Sequence, residues 1–310
     1  VTVTGCPEDL DTVLDNEQKV SCIAKCKSRL AVLIVVIATT VAVNVAHEEK
    51  FTIRKTAHVH LNDRAGLYAV GLEDWARIYL REDREESDTD SLDEYWAGGI
   101  PGLPIEGGYL TGYMEDEQSK FNLNSLIGSE IAVTRFRRLC DNLGVDDRFI
   151  PALMDWIDAD FDIRYPDGAE ENYDTYRVAN RNMADISELL LVQYVTPEIF
   201  EQLRPHITAL PPPTSINVNT MSPIIFESLA DDLDVTRLVE EREDDVFESV
   251  DDFIARLQVP IETEGLSVNT QYFRAHGQVV QGDQIYNLAS LIYRSEQGKT
   301  MVLNRTLGLF

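Results

Sequence analysis

The sequence predicts an α+β fold with one membrane-spanning helix near its N-terminal end. Three observations carry this. Residues 30–46 hold no charged side chain, and a run of that kind reaches the roughly 17–25 residues that a membrane span needs. Between residues 130 and 257 apolar residues recur at three- and four-residue steps, the period of helices with one buried face. After Leu266 the pattern turns to alternation broken by glycine-bearing turns, the period of strands.

Composition narrows the function classes. The chain has 310 residues, 44% hydrophobic and 8% aromatic, enough for a sizeable core. Its formal net charge of −27 opposes nucleic acid as a partner, because holding phosphates requires a basic face. The charge suits a cation binder or a protein soluble outside the cytoplasm. The four cysteines are Cys6, Cys22, Cys26 and Cys140. Their spacing completes no zinc site, and Cys140, alone in a helical pattern, reads as a small core residue.

Taken in order, residues 1–29 are polar and end on Lys25, Lys27 and Arg29. They read as a leader or N-terminal extension. Residues 30–84 read as a span continued by an amphipathic helix, with Ala57, Leu61, Ala65, Tyr68, Leu72, Trp75, Ile78 and Tyr79 on one stripe. Basic residues precede the apolar run and Glu48 and Glu49 follow it. The positive-inside rule then puts the N-terminus in the cytoplasm and the remainder outside. A cleaved secretory signal is the rival, weakened because helical pattern continues where a cleavage site would lie. Residues 82–94 form an acidic linker, expected to be solvated. Residues 85–124 form the first part of a β domain, with a strand over 107–116 and a short extended segment at 121–124. A first helical domain occupies 125–214, with helices marked by Val133 to Leu143, Ile150 to Ile157, Ile186 to Val192 and Pro197 to Leu203. A second helical segment covers 215–260, with helices from Pro223, Val235 and Val250. Residues 261–310 close the chain as three antiparallel strands.

The stretch over 155–182 draws the chemistry. Asp158, Asp160 and Asp162 alternate; Asp167, Glu170 and Glu171 follow, and no lysine interrupts them. Carboxylates so dense repel one another unless a hard dication, which takes 6–8 oxygens in a flexible geometry, sits among them. With Asp158 as position 1 of an EF-hand, position 6 is Ile163 rather than Gly and position 12 is Ala169 rather than Glu. Any Ca²⁺ site is therefore irregular. Its candidate oxygens are Asp158, Asp160, Asp162, Asp167, Glu170 and Glu171, with Asn172 and Asn182 as carbonyl donors. Mg²⁺ fits less well, since it keeps its waters and uses few carboxylates. The bland alternative is a solvated acidic loop. No nucleophile motif or phosphate loop is present, so no catalytic residue is assigned and an enzyme is not expected.

Several strings taken together resemble a known family. They are Leu67-Tyr-Ala-Val-Gly-Leu-Glu-Asp-Trp-Ala, Glu115-Asp-Glu-Gln-Ser-Lys-Phe-Asn-Leu-Asn and Asp155-Trp-Ile-Asp-Ala-Asp, then Gly168-Ala-Glu-Glu-Asn-Tyr, Ser187-Glu-Leu and Ile216-Asn-Val-Asn-Thr. In this order they resemble the K-type minor pseudopilins of the bacterial type II secretion system. The resemblance implies a pilin-like N-terminal helix, a small antiparallel β-sheet and a large α-helical domain inserted into the sheet domain. It implies a place in the inner membrane as a single-pass protein, with the globular part in the periplasm. It also implies a non-enzymatic role in priming or capping the pseudopilus tip, with minor pseudopilins I and J and the major pseudopilin as partners. Bound structural calcium is part of the same implication, as is processing by prepilin peptidase. Two departures stand against that processing: Arg29, not Gly, precedes Leu30, and 29 residues lie upstream. The Glu that most pseudopilins carry at the fifth mature position is replaced here by Ile34, as the resemblance to the K type implies.

A minor pilin of a type IV pilus or DNA-uptake system is the alternative. Residues 216–253 resemble a helix-hairpin-helix module, which would hold DNA phosphates. Here the hairpin is Ala230-Asp-Asp-Leu-Asp-Val, without Gly and with Glu240, Glu241, Glu243, Asp244 and Asp245 beside it. That surface repels phosphate, so no nucleic-acid partner is expected.

Overall fold

The computed structural model describes residues 16–169, 173, 177–282 and 284–308. Helix α1 (Asn16–Glu86) runs for 71 residues, starting 14 residues before the expected span, inside the stretch read as an extension, and ending two residues beyond it. Contacts divide the chain into one unit ending at Arg64 and a second beginning at Ala65. In the first unit, Lys27–Phe51 is long and apolar enough to cross a membrane, and none of it is buried within the protein. Its two threonines add no free polar group. Thr39 Oγ1 donates to Val35 O at 2.9 Å and Thr40 Oγ1 to Val36 O at 2.8 Å. Backbone and side chain are thus satisfied within the helix, as hydrocarbon surroundings demand.

The second unit is built on a five-stranded antiparallel sheet, β1 (Ile100–Ile105), β2 (Gly108–Asp116), β7 (Tyr272–Gln281), β8 (Gln284–Arg294) and β9 (Thr300–Gly308), in that spatial order. Along β2 and β7 every second residue is buried, the alternation of a sheet with one covered face. Ala65, Ala69, Leu72, Ala76 and Leu80 of α1 supply the cover, with Leu110, Met114, Phe273, Val279, Leu288 and Ile292 beneath them. Alanines bring the helix close. At Leu72 closeness needs glycine in the sheet: a Cβ on Gly112 or Gly277, which pair across β2 and β7, would lie 3.3 or 3.0 Å from the leucine methyls. Strand β1, rich in Gly and Pro and preceded by the one-turn helix α2 (Tyr95–Gly98), forms because Leu103 to Ile105 pair with β2 after a bulge. Its Pro101 and Pro104 sit on an edge, where missing donors cost nothing.

Strands β2 and β7 are partners although the helical part of the chain lies between them. That part holds α3 (Glu130–Leu143), α4 (Ile150–Ile157), α5 (Pro197–Leu203), α6 (Pro223–Glu227), α7 (Val235–Asp244) and α8 (Val250–Ala255) around one core. Ser129 caps α3 through Ala132 N, and Gly144, at φ 67°, ends it. Cys140 is fully buried in that core, as its helical setting suggests. Residues Ile186–Leu191 form a 3₁₀ turn rather than the expected α-helix, a tighter winding used in short pieces. Two two-residue parallel ladders, β3 (Phe121–Asn122) with β4 (Ile207–Thr208) and β5 (Ile216–Asn217) with β6 (Leu266–Ser267), tie distant segments together. The acidic linker over 82–94 departs most from expectation. Helix α1 continues into it, and Asp90 is 1% exposed, because the buried Arg294 needs its charge.

Candidate functional site

The acidic loop grows out of α4. Asp155, in its last turn, is fully buried and organises the turn beyond the helix. Its carboxylate accepts from the amide of Ala169 at 2.9 Å, the amide of Arg164 at 3.3 Å and the Arg164 guanidinium at 3.1 Å. One side chain thereby holds both ends of the turn over 164–169. Gly168 is required there: an added Cβ would fall 2.3 Å from Arg164 O and 2.4 Å from the Asp155 carboxylate. Asp167 takes a left-handed φ of 67°, which Asp tolerates better than most residues.

The expected oxygen donors then separate. Asp158 caps the end of α4 and is 5% exposed. Among the described residues its Oδ2 meets the Arg164 guanidinium, while its Oδ1 has no hydrogen-bond partner. Asp160 and Asp162 are exposed, Asp160 Oδ1 accepting from Asp162 N at 2.9 Å in a local turn. Asp167 pairs with Arg148 at 2.9 Å. Asn182 is exposed, and its backbone carbonyl, not its side chain, accepts from the Arg181 guanidinium at 2.8 Å. Glu170, Glu171 and Asn172 lie outside the described residues. A buried carboxylate with unfilled lone pairs beside further acidic side chains has the donor chemistry of a Ca²⁺ site, and Asp158 is the residue on which that fit rests. The far side of the loop is anchored by Tyr173, whose ring meets Trp156 edge-on at 5.6 Å and whose hydroxyl accepts from Gln193 N at 3.1 Å.

A second acidic group lies within the stretch over 82–94 that composition marks as a solvated linker. Asp83, Asp90 and Glu94 each place an oxygen within 4.8 Å of the others. A protein cation already fills the space. Arg294, 2% exposed, reaches Asp83 at 2.8 Å and also Asp90, and donates to Thr270 O at 2.9 Å. The pairing leaves excess negative charge in a buried place. Burial, with Asp83 beside it, raises the Glu94 carboxyl to about 7, although the Trp96 indole donates to it at 2.6 Å. Close by, burial raises Asp116, at the end of β2, to about 6. Thr220, Thr270 and Asn217 donate to its carboxylate, and Gln118 N reaches it at 2.7 Å. These groups join the end of α1, the sheet and the β5 loop. One sequence signal could have found them: Arg294 shares the inward parity of Leu288, Ser290 and Ile292.

Comparison with known proteins bears on the whole unit. Residues 119–212 and 216–269 match two family models, both described as "Type II secretion system (T2SS), protein K". Together they cover the helical part between β2 and β7. The type II secretion system protein K of Pseudomonas aeruginosa is 32% identical over 301 residues, 89% of this chain and 90% of its own. The chain belongs to the type II secretion system protein K family. A K-family relative from Pectobacterium carotovorum subsp. carotovorum is 28% identical over 313 residues, 89% of this chain and 93% of its own. The K-family fold also matches a chain in the crystal structure of the GspK-GspI-GspJ complex from the enterotoxigenic Escherichia coli type 2 secretion system. There the TM-score is 0.76 and the identity 26%, over 83% of this chain and all of that one.

Proposed function

We propose that this K-family chain is a minor pseudopilin that primes or caps the tip of the pseudopilus, anchored by α1 in the inner membrane with its sheet and helices in the periplasm. Minor pseudopilins I and J are its immediate neighbours, with the major pseudopilin below them. The observation that carries this reading is the likeness to the full length of a chain crystallised with GspI and GspJ. The bare apolar surface of residues 27–51 supports a role as a membrane anchor before assembly. The basic side chains of Lys25, Lys27 and Arg29 support a cytoplasmic N-terminus.

A structural Ca²⁺ in the acidic loop belongs to the same proposal. Asp158 would supply the buried oxygens, and Asp160, Asp162, Asp167, Glu170, Glu171, Asn172 and Asn182 are the further candidates. Bound there, the ion supplies charge neutralisation and no reaction chemistry. Asp155, Gly168 and the Arg164 backbone keep the turn closed around it.

The deciding experiment is reconstitution of the full chain in detergent with the I- and J-type proteins of the same organism, with Ca²⁺ or with EDTA. A stable ternary complex is expected, together with loss of secretion when the gene is deleted and recovery when it is restored. Secretion unaffected by the deletion, or no association with either protein, would overturn the reading.

A further inference from the structure

The face of the sheet opposite α1 floors a cleft of about 840 Å³, with Ile186, Phe200 and Ile207 of the helical part on its other wall. That volume lies within the roughly 300–1,000 Å³ of small-molecule sites. Strand register lays the floor out in rows. Thr111, Gln278 and Asn287 stand side by side in one row, and Tyr113, His276, Ala289 and Thr306 in the next. Ala289 keeps the middle of the second row low.

Much of the hydrogen-bonding capacity of this floor is unspent. Gln278 Nε2 donates to Asn287 Oδ1 at 3.0 Å, which leaves the amide oxygen of the first and the amide nitrogen of the second. Among the described residues, the side chains of Thr111, Tyr113 and Thr306 have no hydrogen-bond partner, nor has that of Asn304, which lines the cleft one row further on. Tyr113 lies flat against His276, with centroids 4.5 Å and planes 9° apart. It is 50% exposed, so the rest of its ring and its hydroxyl remain open to the cleft.

Charge in the cleft is already matched. Glu115 and Glu117 share Lys120 at 3.1 and 3.4 Å, and Arg274 also pairs with Glu117. The other charged lining groups are Arg204 and Asp185. Arg204 pairs with Glu201 at 3.2 Å, and Asp185 accepts from Ser187 N at 2.9 Å. In a chain of net charge −27, a cleft so balanced selects neither a cation nor a phosphate. A peptide strand finds no edge there, because β2, β7 and β8 are each paired on both sides. An amphipathic helix would require an apolar floor, and so would a lipid chain.

We propose that this cleft binds an uncharged oligosaccharide, with hydroxyls bonded by Gln278, Asn287, Asn304 and Thr306 and one sugar ring laid on Tyr113. Side-chain amides both donate and accept, as sugar hydroxyls do. The C–H faces of the sugar rings meet Tyr113 and the apolar wall. The site uses neither the apolar surface of residues 27–51 nor the acidic loop, so it stands or falls apart from the assembly role.

The test titrates the full chain, in a detergent without a sugar headgroup, with tetra-N-acetylchitotetraose and with maltotetraose. Binding is read by calorimetry and by saturation transfer to the sugar protons. Binding of either sugar is the expected result, and the pair shows whether acetamido groups are required. Affinity should not change between low and high salt, since no charge is paired. Tyr113→Ala and Asn287→Ala should each weaken binding about tenfold. Thr306→Trp places a ring that favours strands at an exposed position of the edge strand. It should melt like the unaltered chain and yet fill the mouth of the cleft and abolish binding. Tyr95→Ala, exposed outside the cleft, should leave binding unchanged. No binding of either sugar, binding that falls steeply with salt, or binding that Thr306→Trp leaves intact would overturn the proposal.

Discussion

Arg294, at the end of β8, and Asp90, in the segment after α1, form an ion pair in which both side chains are at most 2% exposed, across 204 residues of sequence. The pair fastens the end of the long helix to the sheet and accounts for the dry half of a linker that composition marks as solvated. Removing one partner of a buried pair strands the other charge, at about 3–5 kcal/mol. Arg294→Met should therefore lower the unfolding free energy by that amount in urea titration, with the amides at the junction of α1 and the sheet the first to exchange hydrogen. Arg204→Met, at the surface beside the exposed Glu201, should cost under about 1 kcal/mol.

The pH response comes from the same cluster. Burial holds Glu94 up near 7 and Asp116 up near 6, above the ordinary carboxylate range. The native state therefore keeps these protons after the unfolded chain has released them. Their contribution to stability is complete below pH of about 4 and is lost as pH rises towards 7. At about 1.4 kcal/mol for each pH unit by which a carboxyl is raised, the two together set an upper bound of about 6 kcal/mol on the change. Glu94→Gln keeps an uncharged side chain at every pH, so its melting temperature should vary less than that of the unaltered chain between pH of about 4.5 and 7.5. An identical pH profile for the two would show that Glu94 titrates as an ordinary surface acid.

Calcium gives the third prediction. Ligand at a hundredfold excess over its Kd stabilises by about 2.7 kcal/mol, so millimolar Ca²⁺ should raise the melting temperature of the full chain relative to EDTA. Asp158→Ala should abolish that rise. Asp162→Ala, at an exposed position, should retain most of it. A melt unmoved by Ca²⁺ would leave Asp158 as a carboxylate served only by Arg164.

Gly168→Ala forms the fourth. The added methyl cannot avoid Arg164 O and the Asp155 carboxylate, so the turn must open. A loss of about 1–3 kcal/mol is expected. Faster proteolysis within 160–180 should accompany it, with the sheet unaffected in hydrogen exchange.

Much of this fold can be read from residue patterns because its elements are amphipathic. The apolar run at 30–46, the helix ended by Gly144 and the alternating strands β7, β8 and β9 announce themselves by period. Strand β1 does not, since its Ile-Pro-Gly-Leu-Pro-Ile composition disfavours strands and only pairing with β2 makes it one. The 3₁₀ turn at Ile186–Leu191 shares the apolar spacing of an α-helix, so spacing cannot distinguish them. In the acidic loop, carboxylate density marks the region but not the roles. Asp155 and Asp158 are alike in sequence, yet one ties the loop through backbone amides while the other, among the described residues, meets only the Arg164 guanidinium. That difference is set by where Ala169 and Arg164 return, which is a matter of tertiary path. Arg294 is the clearest omission, because a charged residue at an inward position of an apolar strand already demands a buried counterion.

The adjacency of β2 and β7 has a temporal side. Strand β2 leaves the ribosome with β1 as its sole available partner, and a two-stranded hairpin is marginal alone in water. The other partner arrives only after all six later helices have been made. Closure of the central ladder is thus a long-range event, of the kind that slows folding. Until it happens, the alanine face of α1 has no complete floor beneath it. A chain that stops short of Tyr272 would present β2 as a bare hydrogen-bonding edge, open to pairing with other chains. The strands from Tyr272 onward therefore act as the clasp of the whole unit, and ordered assembly must wait for them.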